Sequence, residues 1–125
     1  MHEIDLSKYR IRTDLIVEHL SNIKDYKRYE EVYDDIKIET IELDKDRAKI
    51  IDKKEGIYKT IYFDDVTDEN NFAKLLDVTI KAIKNLLNSI NIKDSDSVLI
   101  IGLGNRKATP DALGPLTIDS IKITR

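Results

Sequence analysis

The spacing of apolar residues predicts one long helix near the middle of the chain. Between residues 68 and 90, apolar side chains recur every three or four positions, which is the period of an amphipathic helix. This helix is expected to start at Thr67 or Asp68, because either side chain can accept a hydrogen bond from an unpaired amide of the first turn. The positions expected to face the core are Phe72, Leu75, Leu76, Thr79, Ile80, Ile83, Leu86, Leu87 and Ile90. The pattern is that of a helix packed on a sheet, not of a membrane helix or a partner helix.

Two other segments show the period of β-strands. Residues 36–43 alternate imperfectly between apolar and charged side chains, as expected for a half-exposed strand. Residues 57–63 form the most β-prone run of the chain and are expected to pair with the first segment. Between the two, residues 45–54 are predicted to form a short helix or turn, and Gly56 ends it.

Residues 20–35 are rich in charged residues and tyrosines. The spacing of Tyr26, Tyr29 and Tyr33 would place the three rings on one face of a helix, so a solvated helix or an ordered loop is predicted. A basic and aromatic nucleic-acid surface is the alternative. It is disfavoured because acidic residues reduce the positive potential, namely Glu30, Glu31, Asp34 and Asp35.

A short apolar run near the C-terminus predicts a buried strand that leads into a tight turn. Residues 98–101 are Val-Leu-Ile-Ile, a length that suits a strand of a sheet core. Gly102 and Gly104 follow, and glycine allows backbone conformations that a residue with a Cβ resists. Residues 91–97 are polar and form the loop before this strand.

A helix is predicted directly after the glycine turn, over residues 111–120. Thr109 can cap it, and Pro110 suits the first turn, where its missing N–H costs nothing. Asp111 would then lie at the positive end of the helix dipole, beyond the carboxyl end of a strand. In open α/β sheets this is where ligands and catalytic groups usually lie. We therefore take Asp111 as the leading candidate for chemistry.

Composition narrows the class of protein. The chain has 125 residues, 41% apolar and 36% charged, which suits one soluble globular domain. Its net charge of −3 argues against general nucleic-acid binding. The lack of cysteine excludes a disulfide scaffold and a thiol nucleophile, and it fits a cytosolic setting. No apolar run approaches the roughly eighteen residues of a membrane span. His2 and His19 do not form a His-Glu-x-x-His zinc motif and are expected at the surface.

Two other kinds of site were weighed from the residues. A dinucleotide site requires Gly-x-Gly-x-x-Gly, but Lys107 stands at the third glycine position, and Asp111 would repel a pyrophosphate. A small nucleotide-binding α/β domain thus remains a minor alternative. Asp64 and Asp65 follow the predicted strand at 57–63 and could bind a cation, but such pairs more often form local caps in a loop.

Two motifs together resemble one known family. Gly102-Leu-Gly-Asn105, followed by Asp111 and then by Leu113-Gly-Pro115, is similar to the signature of the spore germination proteases, peptidase family A25. Independently, Arg12-Thr-Asp-Leu15 resembles a segment near the start of these endopeptidases. The glycine turn is also similar, more distantly, to that of hydrogenase-maturation endopeptidases, in which a metal-binding acid follows the turn. The chain is identified as similar to the N-terminal portion of a germination protease.

The resemblance implies a fold and a domain arrangement. The fold would be an α/β, three-layer sheet of mixed strands flanked by helices, present as an incomplete version of the family domain. Residues 1–14 would be a propeptide-like arm, and residues 15–125 the N-terminal part of the peptidase domain. The zymogen would be cut at Asp14-Leu15, where an acidic residue precedes an apolar one. From the residues alone, Thr13 could instead cap a helix with Leu15 and Ile16 turned inward.

The resemblance also implies an activity. It is that of an atypical aspartic-type endopeptidase which begins the degradation of small acid-soluble spore proteins at germination, in the cytoplasm of the forespore or spore core. Asp111 would be catalytic, Gly104 and Asn105 would support it, and a second catalytic aspartate would lie beyond residue 125. A homotetramer is implied. No metal or cofactor is assigned, and neither a nucleic acid nor a membrane is expected as a partner. A non-catalytic assembly module of the same fold is the alternative.

Overall fold

In a computed structural model of the chain, which describes residues 15–124, the alternating segment at residues 36–43 is the middle strand of a sheet. The strands are β1 (Lys27–Tyr33), β2 (Ile36–Leu43) and β3 (Gly56–Tyr62), all antiparallel, in the order β1-β2-β3. The two compact units of the chain are Met1–Asn91, which contains this sheet, and Ile92–Arg125. The α/β class is confirmed, and the sheet seen in the described residues is antiparallel rather than mixed.

The middle strand β2 carries the core on both of its faces. Ile36 and Ile38 pack on one side against a helix, where they form a cluster with Val78 and Ala82. Because side chains alternate along a strand, Ile41 and Leu43 face the other side. There they join a second buried cluster, formed with Ile16, Ile23, Ala48 and Ile51. A strand buried on both faces explains why the alternation in this segment was imperfect.

The prediction of a helix or loop for residues 20–35 was wrong, because Lys27–Tyr33 is strand β1. A two-residue connection, Asp34-Asp35, joins it to β2, and Asp34 has a φ of 55°, in the left-handed region that tight hairpins require. The strand lies at the edge of the sheet and is exposed along nearly its whole length. Its sequence therefore lacks the apolar alternation that reveals a half-buried strand.

Two helices follow β2 and β3 and begin at acidic caps. Helix α1 (Lys45–Ile50) starts after Asp44, whose carboxylate accepts a hydrogen bond from the Arg47 amide at 2.9 Å. Helix α2 (Glu69–Ser89) starts after Asp68, which accepts from the amides of Asn70 and Asn71 at 2.8 and 3.1 Å. The predicted start of the long helix at Asp68 is confirmed. None of the helices in residues 15–124 has the length and apolar character needed to cross a bilayer.

The face that α2 buries overlaps only in part with the predicted one. Val78 and Ala82 are its buried residues and Leu75 packs beside them, whereas Ile80 and Ile83 are 42% and 52% exposed. The helix is apolar over about half its circumference, and the narrow sheet covers only one side of that surface. The periodicity identified the helix, but it could not show which part of the apolar surface meets the sheet.

In the second unit, residues 98–101 are not in a strand, contrary to prediction. Their side chains are well exposed, with Leu99 at 84% and Ile101 at 69%. A strand needs a neighbouring strand to pair its backbone groups, and the residues described in this unit provide none. The ordered elements of the unit are a 3₁₀ turn, Thr109–Asp111, and helix α3 (Leu113–Ser120).

Candidate active site

The site is built on a loop that closes on itself between Asn105 and Asp111. The Asn105 N–H donates to the Asp111 carbonyl oxygen at 2.8 Å. In turn, the Asp111 N–H donates to the Ala108 carbonyl at 2.8 Å, and the Ala108 N–H donates to the Asn105 carbonyl at 3.1 Å. The structure therefore brings together two of the predicted site residues, Asn105 and Asp111, through their backbones.

The side chain of Asn105 is held by its own loop. Its Oδ1 accepts a hydrogen bond from the Lys107 N–H at 3.0 Å, which is the arrangement of an Asx turn. Both the backbone amide and the side-chain oxygen of Asn105 are thus occupied within the loop. This arrangement suits a residue that shapes the turn.

Two glycines allow the loop and the helix to approach each other closely. Gly104 has a φ of 141°, which L side chains rarely adopt, and a Cβ there would overlap the carbonyl oxygen of Asp111. A Cβ on Gly114, at the start of α3, would overlap the backbone of Leu103. Any larger residue at either position would push the segment that bears Asp111 away from the glycine turn.

Asp111 ends the 3₁₀ turn and lies two residues before α3, so the predicted helix begins slightly later than expected. Pro110 lies in the first turn as predicted, but Thr109 is not the cap: Ala108 holds that position, without a side-chain hydrogen bond. Asp111 is exposed. The geometry thus presents a carboxyl group to solvent on a backbone that is held by hydrogen bonds.

The chemistry of a single exposed carboxylate is limited. It can act as a general base or as one member of an acid pair, whereas a metal site needs several ligands. Among residues 15–124, no group of three or more histidine, aspartate or glutamate side chains is placed to hold a metal ion.

One feature near the site was missed by sequence reasoning. Arg106 pairs with Asp119, in the last turn of α3, so the charged pair spans the segment that contains Asp111. The two residues are 13 positions apart and belong to no motif. Only the folded path of the chain reveals their contact.

The predicted processing bond lies at the edge of the described residues. Asp14 and the arm at residues 1–14 lie outside them. Leu15 is 49% exposed and directly precedes a 3₁₀ helix, Ile16–Asn22, whose first residue Ile16 is only 2% exposed. Of the two residues expected to turn inward in the helix-start alternative, only Ile16 does so.

Of the acidic pair Asp64-Asp65, Asp65 forms local hydrogen bonds in its loop, as favoured from the sequence. The Asp65 carboxylate accepts hydrogen bonds from the N–H and the hydroxyl of Thr67, both at 2.8 Å. These bonds, the backbone one foremost, lower the pKa of Asp65. The Asp65 carboxylate therefore stabilises the loop that leads into helix α2.

The chain resembles known proteins along nearly its whole length. A family model described as germination protease matches residues 5–125. Proteins named germination protease from Bacillus licheniformis, Geobacillus sp. (strain WCH70) and Bacillus subtilis are 36%, 35% and 35% identical to the chain, each over 98% of it. The match covers 37% of each relative, so the chain spans little more than a third of their length.

Proposed function

The chain belongs to the germination protease family, and we propose on that basis that it supplies the Asp111 part of an endopeptidase active site. The substrates would be small acid-soluble spore proteins, degraded at germination. The observation that carries this proposal is the exposed Asp111 carboxylate, on a segment closed by the 2.8 Å bond from the Asn105 amide. A catalytic acid or base must be both accessible and held in place.

The mechanism follows from what one carboxylate can and cannot do. An ionised Asp111 can take a proton from the attacking water, but peptide hydrolysis also needs a group that stabilises or protonates the leaving part of the substrate. A second carboxyl group sharing a proton with Asp111 would meet that need. We place this second group in the part of the protease that lies beyond the aligned 37% of the relatives.

The role of Asn105 follows from its bonds. Its N–H donates to the Asp111 carbonyl and its Oδ1 accepts from the Lys107 N–H, so both groups stabilise the loop. Gly104 acts with it, because only a glycine leaves room for the Asp111 carbonyl. Both residues support the catalytic acid by fixing its backbone.

The finer assignments belong to the same proposal. The complete protease would have the three-layer sheet of mixed strands and would form a homotetramer in the cytoplasm of the forespore or spore core. Residues 1–14 would be the propeptide, cut at Asp14-Leu15, and residues 15–125 would begin the mature domain. The exposure of Leu15 supports this cut, because a protease can reach an exposed bond, while the buried Ile16 keeps the new terminus attached.

The catalytic assignment is tested in the full-length protein that carries this sequence. Asp111→Asn keeps the size of the side chain but removes its negative charge, and we expect it to lower kcat by about 100-fold or more. The measurement is the cleavage rate of a purified small acid-soluble spore protein. Asp94→Asn, a change at an exposed acid of the same unit, is the matched control and should leave the rate unchanged. Cleavage by Asp111→Asn within twofold of the parent rate would refute the assignment.

The processing assignment has its own measurement. N-terminal sequencing of the matured protein should show Leu15 as the first residue. A mature terminus beyond Val17 would contradict the proposal, because the buried Ile16 would then have been removed.

A further inference from the structure

The ion pair between Arg106 and Asp119 joins the two ends of the segment that carries Asp111. Arg106 directly follows Asn105 in the glycine turn, and Asp119 lies in the last turn of α3. The Arg106 Nη2 donates to the Asp119 Oδ1 at 3.0 Å, and Nη1 bonds to Oδ2. The contact is therefore bidentate, which fixes the relative orientation of the two side chains as well as their separation.

The position of the pair complements the backbone bond from Asn105 to Asp111. That bond closes the near end of the segment by holding the Asp111 carbonyl. The Arg106–Asp119 pair closes the far end, because it ties the last turn of α3 back to the residue next to Asn105. Rotation of α3 about the start of the helix would move Asp111, and the pair opposes this rotation.

The pair is poorly suited to a role in global stability. The side chains of Arg106 and Asp119 are 60% and 47% exposed, and exposed ion pairs contribute little to unfolding free energy. What a bidentate arginine–carboxylate contact adds in such a setting is geometric restraint. The hydrogen bond to Asp119 raises the pKa of Arg106.

We propose that Arg106 and Asp119 are positioning residues, whose ion pair holds α3 against the glycine turn and thereby fixes the direction of the Asp111 carboxylate. This inference rests on the proposed function, in which Asp111 is catalytic. It gives a role to two residues that lie outside the turn motif itself.

The test uses four variants of the full-length protein and one control variant. Arg106→Ala and Asp119→Ala should each lower kcat by about 10-fold, because small displacements of a catalytic group are costly, while KM changes by less than about twofold. Arg106→Lys keeps the charge but loses the bidentate contact and should fall between Arg106→Ala and the parent. The reversed pair, Arg106→Asp with Asp119→Arg, should recover kcat to within about threefold of the parent. Lys122→Ala removes an exposed cation three residues beyond Asp119 and is the matched control.

Hydrogen exchange of the Asn105 amide provides a readout that does not depend on activity. This amide is bonded to the Asp111 carbonyl, so loosening of the segment should increase its exchange rate by about 10-fold in Arg106→Ala. The reversed pair should restore the slow exchange. Circular dichroism of each variant verifies that the fold is kept.

The possible outcomes separate the two hypotheses. Full kcat in Arg106→Ala, or a loss that the reversed pair does not recover, would overturn the positioning role while leaving the endopeptidase assignment intact. A change confined to KM would also overturn it and would make Arg106 a substrate contact. If Asp111→Asn retained activity, the proposed function would fall and the positioning role with it, even if Asn105 exchanged faster in Arg106→Ala.

Discussion

Glu39 lies in the middle of β2, and its side chain is only 3% exposed. Its carboxylate is satisfied from both neighbouring strands. The Arg28 Nε lies 2.5 Å from Oε1, and the Tyr62 hydroxyl donates to Oε2 at 2.8 Å. A buried carboxylate requires such partners, because its desolvation is otherwise costly. Burial, followed by the hydrogen bond to Glu39, raises the pKa of Tyr62.

This network predicts that two neighbouring cations of β1, Arg28 and Lys27, contribute differently to the thermal stability of the protein. Arg28→Ala would leave the buried Glu39 without its charged partner, and we expect the Tm to fall by at least about 5 °C. Lys27→Ala removes only an exposed pair with Glu42, with side chains 71% and 36% exposed, and should change the Tm by less than about 2 °C. Thermal unfolding followed by circular dichroism measures both.

Adding Glu39→Gln to Arg28→Ala provides the control. The neutral side chain removes the unpaired buried charge, so part of the lost stability should return. Equal destabilisation by Arg28→Ala and Lys27→Ala would show that the burial of Glu39 does not matter.

At the scale of the element, helix α2 shows that a large apolar side chain is not necessarily a buried one. Its outward side carries large apolar residues such as Ile80 and Ile83, while its inward side uses the smaller Val78 and Ala82. The energetic value of an apolar side chain depends on the area removed from water, not on its size. The smaller residues should therefore matter more to the stability of this helix.

Truncation on the two sides of α2 tests this. Val78→Ala removes buried methyl groups from the cluster with Ile36 and Ile38 and should lower the free energy of unfolding by about 1.5–2 kcal/mol. Ile83→Ala, at a residue that is 52% exposed, should change it by less than about 0.5 kcal/mol. Urea unfolding of both variants makes the comparison. A larger loss for Ile83→Ala would mean that the predicted face, not the observed one, is buried.

At the scale of the whole molecule, several surface carboxylates are expected to make the folding stability depend on pH. Hydrogen bonds lower the pKa of three of them below the ordinary aspartate value of 3.8. The partners are the Lys74 side chain for Asp34, the Arg47 backbone amide for Asp44 and the Thr67 backbone amide for Asp65. A carboxyl group whose pKa is lower in the folded state adds stability above its unfolded pKa. This contribution is lost as the pH falls through the folded pKa.

We therefore expect stability to be steady near neutral pH and to decline below about pH 4. Urea midpoints measured between pH 7 and pH 3 would show this decline. In the double variant Asp34→Asn, Asp65→Asn, the urea midpoint should fall less steeply as the pH is lowered, because two of the titrating groups are gone. An unchanged slope would mean that these hydrogen bonds do not couple protonation to folding.

Much of the local structure could be predicted because its signals are short-range. The alternation in residues 36–43 predicted β2, the β-prone composition of residues 57–63 predicted β3, and the cap at Asp68 predicted the start of α2. The two motifs were enough to indicate the family, which the match over residues 5–125 confirms. In each case the controlling interactions lie within a few residues, so the sequence carries them directly.

What the amino-acid sequence by itself determined, then, is the type of most elements, the glycines of the turn and the family. Tertiary structure decided that β1 is a strand, that Glu39 is buried and that Val78 rather than Ile83 meets the sheet. Within the part of the chain that the structure describes, it also left residues 98–101 without a strand partner, and it joined Arg106 to Asp119. Each of these features depends on which distant segment packs against the residue concerned. Strand pairing and burial always involve two segments, so the local pattern of one segment does not specify them.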